Sequence, residues 1–485
     1  MVNYKGSYFE GGERMDLITQ RVLREFYALC EIPHPSGGEK KISDYLMGRL
    51  RAAGLVPEQD AAFNIICDVP ATAGYENKKR LALQAHMDMV CVGDADYIPE
   101  TDPIQTEIRE GWLCSDGRSS LGADCGIGLA AALYILLSGE YPHGPVRLIL
   151  TTVEEQGMVG ARQLRRDCLA SCAGFINLDG FHFGELLISS AGGKRQKFTK
   201  TPELFFAVPE RAVEVKISGL TGGHSGEDIG KTRANAAEIL VWLLQALPFP
   251  WELASLSAGN SFNAIPASGS AVILLDPGDD SALGELIDRF SSELHGLYPG
   301  ENIRIAPSET DRPDLVFTVD ERDNILAMAG LLLCGEAGKH PLFPEVTGSS
   351  GSMGMLYADR ERIEIRSFLR SVDAAFLQQY GDFYAAAAEG FGFSSTDDSY
   401  IPWPGAERDD LTDRFLRVGE ALSLPLRKNG IHVGLETSIF HGMAPETDMV
   451  SVGMNIRDPH SVSERVELST IAPFVSLLAG VLKEI

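Results

Sequence analysis

No stretch of this sequence is apolar for long enough to cross a bilayer. The longest such run, GIGLAAALYILLSG at residues 126–139, falls short of the ~20 residues a spanning helix needs. Cysteine is scarce and scattered: eight residues with no CxxC pair, Cys168 and Cys172 being the nearest two. That spacing excludes a zinc finger and argues against a disulfide framework. Positive charge is also in deficit, 42 Lys and Arg against 68 Asp and Glu, a net charge of −26. The balance disfavours nucleic acid and anionic membrane surfaces as partners. The opening stretch MVNYKGSYFEGGERMDLITQ has neither the apolar core nor the small-residue cleavage site of a signal peptide. A reducing cytoplasm is the expected home.

What is present suits a globular chain: 44% hydrophobic and 23% charged residues are ordinary proportions. At ~150 residues per domain, 485 residues exceed one core. Residues 16–200 alternate helix and strand patterns. DLITQRVLREFYALCEI and KKISDYLMGRLRAAG have helical period, with strand patterns at 63–69, 81–87, 146–153 and 174–178 and a helix at 126–138. Such alternation predicts an α/β layer on a largely parallel or mixed sheet. From about residue 207 the pattern changes to strands and helices of an α+β type. Helices are predicted within TRANAAEILVWLLQAL, SALGELIDRFSSELHGLY, 320–334 and 373–389, and strand-like GSMGMLYADRERIEIRSFL lies between the last two. After YIPWPG the α/β alternation returns, with IHVGLE and DMVSVG as strands and LSTIAPFVSLLAGVLKEI as a closing helix. The expected organisation is a catalytic α/β domain in two parts, 1–206 and 393–485, with an inserted α+β domain at 207–392.

Chemistry gathers at strand ends. In LQAHMDMVC, His86 and Asp88 leave an apolar strand on the same face, because strand side chains alternate. LGADCGIG places Asp124 before an apolar helix, ILTTVEEQG ends a strand with Glu154 and Glu155, FINLDG ends another with Asp179, and His460 follows DMVSVG. Strand ends of an open α/β sheet converge on one edge, where ligands bind. Each residue alone has an ordinary explanation, a solvated loop end or a helix cap for Asp124. Together they pool two histidines and five carboxylates, which repel unless a cation sits among them. A divalent metal is the natural counter-ion for carboxylates and imidazoles. The set exceeds one tetrahedral shell and suits two ions ~3.5–4 Å apart. Asp88 can orient His86 from behind. Of Glu154 and Glu155, one can ligate while the other takes a proton from water, which points to metal-assisted hydrolysis.

HMDMV, LGADCGIG, TTVEEQGMVGA, NLD, GLTGGHSGEDI, NAIP, IRSFLRS, IHVGLE and DMVSVGMNIRDPHS occur in an order that resembles the bacterial aminoacyl-histidine dipeptidases (peptidase D), of the dizinc aminoacylase and carboxypeptidase superfamily. The resemblance implies a two-domain enzyme, a catalytic α/β domain holding two metals and an inserted lid. By motif match it implies that His86, Asp124, Glu155, Asp179 and His460 are ligands, with Asp124 bridging. It makes Glu154 the general acid/base, with Asp88 orienting His86. In the lid, His224 of GGHSG would polarise the scissile carbonyl, Asn263 of NAIP would lie near the substrate, and Arg366 of IRSFLRS would clamp the peptide carboxylate. In relatives the histidine can come from a partner subunit, which implies a homodimer. His432 and Glu436 of IHVGLE border the pocket without an assigned role.

Two departures touch substrate recognition: Asp179 is followed by Gly180, Phe181 and His182, and GEDIGKTRANAA follows GGHS. The expectation is a cytoplasmic dipeptidase using two divalent ions, zinc with manganese or cobalt as alternatives, on short peptides of the Xaa-His type. An aminoacylase-type amidohydrolase or tripeptidase would use the same site. A non-catalytic metal- or peptide-binding protein would have no use for Glu154.

Overall fold

The computed structural model describes residues 15–406 and 409–484; the first 14 residues of the stretch judged for a signal peptide lie outside them. The chain divides into two compact units. One holds the chain through Ser189, Gly405–Asn429 and the segment from Leu435 onward; the other holds Ser190–Pro404 and Gly430–Gly434. These divisions differ from the expected 206/207 and 392/393 because of strand pairing. Strand Gly192–Lys200 pairs with Ile363–Ser371 of the second unit's sheet on one side and with Ser394–Tyr400 on the other.

The first unit is built on an eight-stranded mixed sheet. Strand Arg80–His86 lies between Val146–Thr151 and Cys172–Gly180, parallel to both, and Asp448–Gly453 continues the parallel run beside Cys172–Gly180. Leu81 to His86 and the whole of Val146–Thr151 are buried, as expected of parallel strands covered on both faces. Phe175 meets Phe440 of helix Glu436–Met443 at 4.5 Å between ring centres. Leu178, of opposite parity on the same strand, meets helix Ala123–Leu137. The approach on that side is close: a methyl at Gly128 would fall 2.5 Å from Leu178 O. Helices Leu17–Cys30 and Ile471–Glu484 pack with Ala123–Leu137. Asp16 caps the first of these, its Oδ1 accepting from Thr19 N at 2.8 Å.

The IHVGLE segment departs from its expected strand. Strand Arg427–Ile431 ends before His432, and Glu436 opens the helix Glu436–Met443. A small four-stranded sheet (Thr106–Arg109, Trp112–Ser115, Ile456–Arg457, Arg465–Glu467) has no counterpart in the sequence reading. Its strands are too short to show a period.

The second unit carries a nine-stranded antiparallel sheet. Helices Ala236–Gln245, Asp280–Leu297, Val319–Gly330 and Ala374–Gly390 contact its strands. Phe198, Val215, Ile273, Leu356 and Ile365 form a core with Leu240, Leu286, Ile325 and Tyr384 from those helices. The strand-like GSMGMLYADRERIEIRSFL is two strands of one hairpin, Thr347–Ala358 and Ile363–Ser371. Among the described residues, no helix is long and apolar enough to cross a membrane, and all eight cysteines are unpaired.

Two glycines in helices predict opposite outcomes. Gly128→Ala pushes a methyl against backbone and should destabilise the protein by ~1–3 kcal/mol. Gly284→Ala, where nothing lies within 4 Å of the added carbon, should stabilise by ~0.5–1 kcal/mol. Thermal unfolding of both variants checks the pair, and a Gly128→Ala protein as stable as the parent would refute the close approach.

Candidate metal centre

The residues expected at the sheet edge do meet there, all in the first unit. His86 ends strand Arg80–His86, Asp179 sits near the end of Cys172–Gly180, Glu154 and Glu155 follow Val146–Thr151, and Asp124 lies in the irregular first turn of Ala123–Leu137. Asp124 is central. Its Oδ1 lies 3.3 Å from His86 Nε2 and its Oδ2 lies 3.0 Å from His460 Nε2. A further carboxylate flanks each imidazole, Asp179 Oδ1 at 3.6 Å from His86 Nε2 and Glu155 Oε1 at 3.0 Å from His460 Nε2. Two half-sites, each an imidazole with one private carboxylate, thus share the two oxygens of Asp124.

Asp124 does not cap its helix; the N-cap position is Gly122, in a left-handed conformation at φ 69° and without a side chain to cap the first turn. Instead the backbone of this loop is held by Glu464. Its Oε2 accepts from Leu121 N and Gly122 N at 2.9 and 3.0 Å, and its Oε1 from Ala123 N and Asp124 N at 2.8 and 3.2 Å. Successive N–H groups converging on one anion make a nest. Because Glu464 is four residues beyond His460, one short segment carries a histidine and fixes the loop of its carboxylate neighbour.

Asp88 works differently from the expectation. His86 Nδ1 donates to the backbone carbonyl of Asp88 at 2.9 Å, while the carboxylate is 3.7 Å away. This bond leaves Nε2 as the lone-pair nitrogen toward Asp124 and Asp179. The Asp88 carboxylate accepts from Glu154 N at 3.0 Å, Glu155 N at 3.3 Å and the Ser36 hydroxyl at 2.7 Å. Val153 adopts a left-handed conformation, φ 51°, uncommon for a β-branched residue. Its N–H donates to Glu39 Oε1 at 3.0 Å. Glu39 and Asp88 therefore hold the turn that presents the paired glutamates.

A second layer lies beneath. Glu436 Oε2 accepts from Gln84 Nε2 and from the Thr151 hydroxyl. Gln84 Oε1 accepts from Asn177 Nδ2 at 2.7 Å, and Asn177 Oδ1 accepts from the Ser451 hydroxyl and from Asp179 N. This buried chain ties together the three strands whose ends carry His86, Asp179 and the glutamate pair. Burial pushes the Glu436 carboxyl up to about 7. Sequence reasoning assigned no role to Gln84, Asn177, Glu436 or Glu464. The signal that existed was polar residues at Gln84 and Asn177 inside otherwise apolar strands.

The electrostatics are those of an anionic cluster around two imidazoles. Burial opposes it, yet the hydrogen bond to Asp124 and the nearby carboxylate of Asp179 hold the His86 imidazole well above its ordinary value. Burial likewise opposes a rise at His460, but Asp124 and Glu155 raise it to about 11. Burial and then the charge of Glu155 push the Glu154 carboxyl well up. The Asp179 carboxyl is raised by burial and then by Asp124. Asp179 Oδ1 and Glu155 Oε1 are buried without a hydrogen bond. Orphaned carboxylate oxygens facing imidazole nitrogens, in a set of nitrogen and oxygen donors, fit divalent cations. Cys125 Sγ also lies near His86 and Asp179, but it is aimed at Leu178 O, 3.3 Å away, and burial raises its thiol.

His224, Asn263 and Arg366 belong to the second unit. His224 is half-buried, its Nδ1 accepting from Gly226 N and Glu227 N at 3.3 and 3.2 Å. Asn263 is exposed, and its carbonyl accepts from Ser225 N at 2.7 Å. Arg366 is engaged by Glu364, whose Oε1 lies 2.6 Å from both Nε and Nη2, and it stacks on Phe262 at 5.4 Å.

An α/β sheet edge with two such half-sites and a free neighbouring glutamate has the donor set of a two-ion hydrolase. Residues 82–484 match peptidase family M20/M25/M40. The chain is 31% identical over 493 residues to the cytosol non-specific dipeptidase of Escherichia coli (strain K12), covering 98% of this chain and 99% of that one. Aminoacylhistidine dipeptidase from Vibrio alginolyticus matches at a TM-score of 0.82 and 28% identity, covering 97% and 98% of the two chains. Aminopeptidase PepT from Bacillus cereus shares the fold at a TM-score of 0.56 and 15% identity, covering 97% and 99%. The chain belongs to peptidase family M20/M25/M40, whose peptidases are dimetal enzymes.

The Glu464 nest yields a test that bypasses turnover. Glu464→Gln replaces two of the nest's four acceptor bonds with an amide N–H₂ facing N–H groups. Metal affinity should fall by ~10–100-fold, measured by cobalt or zinc titration against a competing chelator. Unchanged affinity would mean that the nest does not position Asp124.

Proposed function

We propose that this chain is a metal-dependent dipeptidase that hydrolyses short peptides, Xaa-His dipeptides among them. The observation that carries the reading is Asp124, whose two carboxylate oxygens face different imidazoles, each flanked by another carboxylate. The full-length likeness to two dipeptidases supports the substrate class.

In this reading His86, Asp179 and Asp124 hold one ion, and His460, Glu155 and Asp124 hold the other. Zinc is the preferred metal, since two imidazoles with carboxylates suit it; manganese and cobalt are alternatives. Bound divalent ions would lend Lewis acidity to the scissile carbonyl and to the attacking water. Glu154, its backbone fixed by Asp88 and its carboxyl raised by burial and by Glu155, takes the proton from that water and delivers it to the leaving amine. His224 polarises the carbonyl oxygen and stabilises the developing oxyanion. Arg366 receives the peptide's terminal carboxylate, with Asn263 beside the substrate. A homodimer and a cytoplasmic location complete the proposal. The location draws on the cytosolic relative.

Two outcomes test it. Chelator-stripped protein should release no histidine from Gly-His or β-Ala-His, and release should return on adding zinc, manganese or cobalt. Cleavage of N-acylated amino acids alone would move the reading to an aminoacylase. Glu154→Gln should lower kcat by ~10²–10⁴-fold while metal content, measured by mass spectrometry, stays at the parent level. Retained turnover would remove Glu154 from the mechanism.

A further inference from the structure

One face of the second unit's sheet packs against its helices. Along strand Ile363–Ser371, Ile363, Ile365 and Leu369 join the core shared with the helices. Glu364, Arg366, Phe368 and Arg370 alternate to the other face. The paired strands add Arg195 opposite Phe368, Lys197 opposite Arg366 and Ser350 opposite Arg370. This face is therefore cationic, and two of its cations are already engaged. Arg366 is paired to Glu364, and Arg195 reaches Asp398 at 3.6 Å.

Arg370 differs. It is only 3% exposed, and among the described residues no carboxylate forms an ion pair with it. Its guanidinium stacks on Phe368 at 4.0 Å, and Nη1 approaches the Tyr400 hydroxyl at 3.4 Å. Its Nε is buried without a hydrogen bond. Glu227 acts on it only at a distance, without an ion pair, and a buried guanidinium so little compensated is costly; a chain retains one where something anionic arrives. The surroundings say what arrives. A methyl on Gly226 would lie 3.2 Å from Arg370 Nε, so the guanidinium abuts the GGHSG turn, where Gly226 N donates to His224 Nδ1. On the same strand face four residues away is Arg366, the group read as taking the terminal carboxylate. His432, whose Nε2 pairs with Ser350 Oγ at 2.7 Å, is held down to about 3 by burial and then by Arg370. It is therefore neutral and adds no second positive charge beside Arg370.

We propose that Arg370 is a specificity-determining residue that receives the side-chain carboxylate of an acidic C-terminal residue, so that Xaa-Glu and Xaa-Asp dipeptides are preferred over their neutral isosteres. This rests on the dipeptidase reading, and on the same turn and strand that reading assigns to the substrate.

The test compares kcat/KM for Ala-Glu, its isostere Ala-Gln, Ala-His and Ala-Ala on metal-loaded protein and on Arg370→Met and Arg370→Lys. The parent should favour Ala-Glu over Ala-Gln by about tenfold or more. Arg370→Met should bring that ratio to about 1, mainly through KM, and Arg370→Lys should keep part of it. Equal rates for Ala-Glu and Ala-Gln in the parent would overturn the proposal, with Arg370 Nε then satisfied by water alone. A ratio unchanged in Arg370→Met would overturn it too. The parent comparison decides even if a variant fails to fold. Cleavage of Ala-Ala or Ala-His without a Glu preference would leave the dipeptidase reading standing, whereas silence on all four peptides would overturn both.

Discussion

The first unit is organised around mutual repulsion among carboxylates. Asp88, Asp124, the adjacent pair Glu154 and Glu155, and Asp179 come from four separate segments of the chain, and apolar strands such as Leu81–Ala85 and Val146–Leu150 drive their ends to one edge. Burial adds to the repulsion, raising Asp179 and Glu154. Two imidazoles relieve only part of it. The sharing of Asp124 between His86 and His460 is the feature that divides this excess negative charge into two imidazole–carboxylate half-sites rather than one diffuse patch.

Positions of that kind survive only if the backbone cannot relax away from the charge. Three devices prevent it. The Glu464 carboxylate draws four N–H groups of the Asp124 loop to itself. Asp88 fixes the N–H groups of the glutamate pair. The Glu436–Gln84–Asn177–Ser451 chain locks the strands laterally. Each uses a polar group inside a dry region, where it is costly unless satisfied. The apolar sheet thus supplies the convergence, and these buried polar bonds supply its precision.

Much of the convergence was legible in the sequence because strand ends advertise themselves. A histidine or carboxylate that follows a run such as LALQA or RLILT breaks an otherwise continuous apolar pattern, so His86, Glu154, Glu155 and Asp179 stood out. The supports did not. Glu464 lies in HSVSERVE, a segment with no period, and its role depends on a loop more than three hundred residues earlier in the chain. The detail of Asp88 was hidden for another reason. Sequence gives its parity with His86 but not that its backbone, rather than its carboxylate, takes the imidazole proton. IHVGLE read as a strand through its β-branched residues, yet Gly434 and the following Glu436 belong to a loop and a helix start. The boundary near residue 190 was missed because KRQKFTK alternates as an edge of either sheet would. Pairing partners such as Phe368 and Asp398, far along the chain, decide which sheet it joins.

The two units divide charge in a way the net −26 conceals. The first concentrates carboxylates that suit cations. The second turns a face bearing Arg195, Lys197, Arg366 and Arg370 away from its own helices. Within the second unit Glu364 tempers Arg366 without using up its fork: Nε and Nη2 engage the carboxylate and Nη1 donates to Asn260 O at 3.3 Å, which leaves further N–H donors on the guanidinium. Arg370 makes no such ion pair among the described residues; its guanidinium stacks on Phe368 and bonds the Tyr400 hydroxyl, so burial acts on its charge with little local relief.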